Sequence, residues 1–161
     1  MEMVVYVAIL SLIIAVVLGL LLWVLRVQIR IAAEKELVES TQAALTILKN
    51  EIGESESLYT LTTTSSQISL ATRRNPPDGE DSTYVDFFLC GTRLCIKRES
   101  QNPLALTSEN ILIQNLAFEH IQTGSVSSIQ IMFDAVYNNP SNRSELEVEM
   151  NIQTTVSQRS Y

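Results

Sequence analysis

The chain has 161 residues, 46% of them apolar, and a formal net charge of −7 at pH 7. That length holds one domain of ordinary size. The acidic balance argues against a protein that grips nucleic acid by its net field, and one histidine with two cysteines argues against a His- or Cys-rich metal site.

The first element is apolar. Residues 3–25 carry no charge, and only Ser11 and Gly19 fall outside the apolar set. In helical geometry these 23 residues span about 35 Å, against a bilayer core of about 30 Å. A secretory signal has an apolar stretch of about 7–15 residues, a basic start and a small-residue cleavage site. This run fits none of the three, and a buried core helix of that length is uncommon in a small domain. We therefore expect a membrane-embedded helix and not a freely soluble cytosolic protein. Glu2 precedes the run, and Arg26 and Arg30 follow it. Taken alone, this charge order places the C-terminal body in the cytoplasm. An acid at the lip of hydrocarbon usually marks a function or a partner.

The helical pattern continues beyond Trp23. Val27, Ile31, Val38, Leu45, Leu48 and Ile52 form one apolar stripe, and Gly53 stands where a C-terminal cap is expected. The reading is one helix from about residue 2 to residue 52. It divides into a transmembrane half over 1–25 and an amphipathic half over 26–52, followed by a body over 53–161.

After Gly53 the period changes to two. Leu58–Leu61 and Gln67–Ala71 are short strand candidates, and Asn75–Asp81 is a turn or exposed loop. Tyr84–Cys90 and Leu94–Lys97 flank Gly-Thr-Arg as a hairpin. Asn110–Ile121 alternates only in part. Ile129 to Tyr137 and Leu146 to Thr154 alternate cleanly, with a turn at Asn138–Asn142 between them. Alternation means one face buried and one wet. The predicted fold class is α+β: a long N-terminal helix packed by its second half on an antiparallel sheet of about four to six strands.

Glu2-Met-Val-Val-Tyr-Val-Ala-Ile-Leu-Ser-Leu-Ile13, the half-amphipathic helix and the small sheet together resemble the type IV pilin and pseudopilin family. Members begin with a short basic leader ending in Gly, then Phe-Thr-Leu-Ile-Glu and an apolar run. Glu2 falls on the family's glutamate. The body looks most like minor pseudopilins of the J type and similar minor pilins, on Leu94-Cys-Ile-Lys-Arg98, Pro103–Asn110 and the paired C-terminal strands. Two readings of the start stand: Met1 is an internal methionine with the leader upstream, or the chain is an incomplete copy. The expectation is an in-frame, Lys/Arg-bearing segment upstream. Such a leader would put the body outside the cytoplasm.

The resemblance implies a structural subunit that assembles through its N-terminal helix, anchored in the inner membrane before assembly. Its implied partners are other pilin subunits, a prepilin peptidase, a platform protein and an assembly ATPase, besides the lipid bilayer. Glu2 is the implied assembly residue. The alternative is a single-pass, membrane-anchored extracytoplasmic binding module that does not polymerise. No nucleophile–base pair and no phosphate loop stand out, so we expect neither an enzyme nor a cofactor.

Cys90 and Cys95 bracket Gly-Thr-Arg-Leu. A hairpin loop at Thr92-Arg93 or Gly91–Leu94 sets them facing each other across the strands, at a separation suited to a disulfide. Two free thiols and half a zinc site are the other readings, and His120 is the only histidine. Glu145, Glu147 and Glu149 read as a solvated acidic face of one strand.

Overall fold

The computed structural model describes residues 2–59, 63–74, 76, 78–99, 101–123 and 126–158. Its first element is α1, Glu2–Glu54. No proline occurs before Pro76, so nothing interrupts the helical hydrogen bonds. Val and Ile are frequent in the first half. They lower helix propensity in water, but a chain in hydrocarbon must bond its own backbone, and a single segment does so as a helix.

α1 first becomes buried at Ala33. Ala33, Leu37, Thr41, Ala44, Leu48, Glu51 and Ile52 form the buried seam. This corrects the predicted stripe. Leu48 and Ile52 belong to the core and Val38 and Leu45 are half-buried, but Val27 is exposed and Ile31 is 58% exposed. The predicted stripe counted large side chains. The actual seam alternates them with Ala33, Thr41 and Ala44, which let the helix lie close to the strands. The end is also corrected. Gly53 remains helical and lacks a left-handed φ. The helix stops one residue later, where Ser55 Oγ and N both donate to Ile52 O (2.7 and 3.3 Å).

Thr41 is 1% exposed, and its Oγ1 has no hydrogen-bond partner. A buried unpaired hydroxyl is unfavourable by about 1–3 kcal/mol. Thr41→Val keeps the shape and removes that oxygen. Its denaturation midpoint should rise, by about 1 kcal/mol in stability; a fall would mean that the hydroxyl is satisfied.

Among the described residues the body contains eight strands in two antiparallel sheets where one was expected. The five-stranded sheet has the order β1 (Ser57–Leu58), β2 (Ile68–Thr72), β3 (Thr83–Cys90), β4 (Arg93–Arg98), β5 (Leu104–Ala105). Of the predicted first strand, Thr60 and Leu61 lie outside the described residues, as do Asn75 and Pro77 of the predicted loop. The three-stranded sheet is β6 (Ile111–Thr123), β7 (Val126–Tyr137), β8 (Glu149–Ser157). Leu146 begins no strand: Ser144–Leu146 is a short 3₁₀ turn. Glu145 therefore sits on that turn, Glu147 follows it, and only Glu149 is on β8, so the three do not share one strand face.

The irregular pattern of the residues in β6 has a local cause. Its pairing with β7 slips by one residue between Gln114 and Ala117, so Asn115 and Leu116 together oppose Phe133. Asn115 takes a left-handed φ of 52°. The bulge reverses which parity points inward: Ile111 and Ile113 are buried before it, Leu116 and Phe118 after it.

One apolar cluster joins all three layers. α1 supplies Leu37, Ala44, Leu48 and Ile52. The five-stranded sheet supplies Ile68, Leu70, Val85, Phe87, Leu94 and Ile96, and β7 supplies Ile129, Ile131, Phe133 and Ala135. Glu36 pins the helix to the body from the rim. It accepts from Ser108 Oγ (3.0 Å), Asn110 Nδ2 (2.9 Å) and the Tyr137 hydroxyl (3.3 Å). Burial, and then the Glu36 carboxylate, push the Tyr137 hydroxyl above its ordinary pKa.

Candidate membrane and assembly surface

Every residue from Glu2 to Ala32 is exposed. Over that length the only charges are Glu2, Arg26 and Arg30. α1 is the one helix, among the described residues, that is long and apolar enough to cross a membrane. Leu10, Leu12, Ile13, Leu18, Leu20 and Trp23 are each more than half exposed. An apolar surface of this extent needs a cover, which is lipid or protein. The body does not supply it.

The two ends of this surface differ. Glu2 lies in the first turn, where the helix dipole favours a carboxylate. At the other end, Arg26 Nε lies 3.6 Å from Glu145 Oε1, and Arg30 Nε bonds Glu34 Oε1 at 2.9 Å. Both pairs are partly exposed and contribute little stability. Their position is informative. The 3₁₀ turn of the body meets α1 just after the uncharged run ends. Body and apolar segment therefore succeed each other along the helix without overlapping.

Comparisons with protein-family models, with curated proteins and with solved structures return no match to this chain. The long apolar N-terminal helix followed by antiparallel sheets is a pilin-like layout.

Cys90 and Cys95 form a disulfide, with Cα atoms 5.9 Å apart. Their placement differs from the one expected. The hairpin loop is Gly91-Thr92, and Gly91 alone of the two has a positive φ, 72°, as a type II′ turn requires. Cys90 then pairs with Arg93 and Cys95 with Phe88, so the cysteines are diagonal neighbours on one face, not opposite partners. Closing so short a loop stabilises the fold by about 2 kcal/mol. Among the described residues, no three of His, Cys, Asp and Glu gather where they share an ion.

Two side-chain groups escaped the sequence reading. His120 Nε2 lies 2.8 Å from Ser127 Oγ. They are diagonal across β6 and β7, a proximity that separation along the chain does not reveal. The hydroxyl proton of Ser127 goes to Gln158 Oε1 (2.7 Å), so the imidazole must donate to the serine. That is the reverse of nucleophile activation. Gln158 Nε2 continues the row to Ser55 Oγ (2.8 Å), tying the hairpin to the end of α1.

The second group surrounds Asp134. Asn115 Nδ2 donates to one of its oxygens (2.7 Å) and Asn151 Nδ2 to the other. These amides, Asn115 first, hold the carboxyl below its ordinary pKa. The bulge aims Asn115, and no alternation pattern announces it. A lowered folded pKa means stability that is present above the unfolded value of about 3.9 and lost as pH falls through the folded value. The parent should therefore lose its advantage over Asp134→Asn as pH falls below the unfolded value of about 3.9. Denaturation curves at a series of pH values measure this, and a constant difference would contradict it.

Proposed function

We propose that the chain is a structural subunit, a minor pilin or pseudopilin, that assembles through its N-terminal helix into a pilus or a secretion pseudopilus. The observation that carries this reading is a single continuous helix whose first part, Glu2 to Ala32, is exposed while its second part is built into the body. Before assembly the apolar part lies in lipid, with the body outside the cytoplasm. During assembly, helices of many copies bundle and bury the same surface in protein. The bodies then decorate the outside. Nothing in this role needs catalysis.

Glu2 separates this reading from a plain anchor. A carboxylate carried to the bilayer centre is unfavourable by about 2.5–3.5 kcal/mol, and less at the edge. Beyond a favourable helix start, an anchor gains nothing from it. A filament subunit gains register, because a charge inside an apolar bundle must meet a partner, and only one axial offset brings them together. The resemblance points to the N-terminal amine of a neighbouring processed subunit as that partner.

Glu2→Gln or Glu2→Ala, made in the full-length precursor, should leave membrane insertion normal or slightly improved and lower incorporation into filaments. The measurement is the ratio of subunit in sheared filaments to subunit in membranes, variant against parent. An unchanged ratio would reduce Glu2 to a helix-start preference and favour the anchored binding module.

A further inference from the structure

Among the described residues the body has four sheet edges, and three of them are closed off. β1 and β5 are two residues long. β6 is bulged and already lends Ile113 N to Thr92 O (2.7 Å) and Phe118 N to Ser65 O (2.8 Å). β8 differs. It runs nine residues in unbroken register with β7, and from Met150 to Ser157 it carries no charge and no proline. Among the described residues, no backbone group of β8 bonds on the side away from β7. Short strands, bulges, charges and prolines are the usual guards of an edge, and an unguarded edge is a template for another strand.

Two hollows flank the start of this edge. One, of about 380 Å³, opens between α1 and β8 over Val38, Val148 and Met150. Its rim carries Glu34, Glu147 and Glu149 against the single cation Arg30. The other, of about 420 Å³, lies on the opposite face of the sheet and runs inward from Glu149 on β8 over Asp134 on β7 to Gln114 on β6. Consecutive residues of a strand point to opposite faces, and an added strand lies about 4.8 Å from its neighbour. Adjacent side chains of such a strand point to the two faces on which the hollows lie, one each.

We propose that β8 and these hollows form a strand-addition site for an extended segment of another protein, one that presents an apolar residue next to a lysine or arginine. Main-chain bonds to the β8 edge supply affinity, and the hollows read the two side chains. The apolar residue enters over Val148 and Met150, while the cation meets Asp134 and Glu149. Charge selects the partner. The rims are acidic and the chain itself carries −7, so a second copy brings the wrong sign. The site lies on the body and stands whether or not the N-terminal helix enters a filament.

The test uses the full chain in detergent micelles and labelled peptides as long as β8, alternating Val and Thr. One peptide carries Leu-Lys at its centre, the other Leu-Glu. The Leu-Lys peptide should bind about tenfold tighter, and its binding should slow hydrogen exchange at the β8 amides. Glu149→Lys should reverse the preference. Glu147→Lys, outside any strand, should shift it the same way if the first variant disturbs the sheet. Equal binding of the two peptides, or protection outside β8, overturns the proposal. So does protection of β8 that grows with protein concentration in the absence of peptide, which would make a second copy the occupant.

Discussion

Phe133→Ala should remove most of the stability of the body. Phe133 is 1% exposed on the central strand of the three-stranded sheet, opposite Ile152 on β8 and the bulged pair Asn115–Leu116 on β6. It belongs to the cluster that joins both sheets to α1, so no single layer can collapse into the space it leaves. Truncating a buried Phe to Ala typically costs about 3–5 kcal/mol, against about 5–15 kcal/mol for a whole domain. The denaturation midpoint of the variant should fall far below that of the parent, with an unchanged slope. Leu104→Ala is the control. Leu104 is 63% exposed on a two-residue edge strand, and its loss should stay within about 0.5 kcal/mol. Similar midpoints for the two variants would mean that the core is not shared between the layers as described.

The residues around Phe133 also show what was legible in the sequence. Ile129, Ile131, Phe133 and Ala135 alternate without interruption and form β7 as read. β8 alternates too, but its reading began too early, because Leu146 and Val148 continue the pattern by chance through a turn and a linker. β6 was obscured by one inserted residue. A bulge reverses parity, and period-two reading has no means of locating it without the partner strand. The face of α1 was misjudged for a different reason. Ala and Thr pack against strands as well as Leu does where the backbones come close, yet they carry little weight in a hydropathy count. The disulfide was legible from spacing, but its diagonal placement depends on which residues make the turn. The open edge of β8, the hollows beside it and the amide clamp on Asp134 were not legible. They depend on which strand ends the sheet, and that is decided by long-range packing. The exposed apolar helix was the clearest signal in the chain, because a run of 23 uncharged residues needs no partner to be recognised.

That same run sets the second large effect. Positions 4–25 contain sixteen Val, Leu and Ile residues. At about 0.3–0.6 kcal/mol each, they favour insertion by about 5–10 kcal/mol, while one lysine near the middle of a span opposes it by about 2.5–3.5 kcal/mol. Leu12→Lys alone should therefore leave the protein in the membrane fraction. Leu12→Lys with Leu18→Lys brings the opposing contribution to about 5–7 kcal/mol, comparable to the whole drive, and the double variant should be largely lost from membranes. The thermal transition of the body should not move in either variant, because Glu2 to Ala32 is exposed and contributes nothing to the core. The single variant then discriminates between functions. In lipid, the introduced ammonium reaches toward the headgroups on its flexible stem. Inside a bundle of helices it has no such route, and an unpaired buried charge is strongly unfavourable. If the chain is a filament subunit, Leu12→Lys should remain in membranes at near-parental levels and disappear from sheared filaments. If the helix is only an anchor, the single variant should match its parent in every fraction, and the assembly reading would have to be given up.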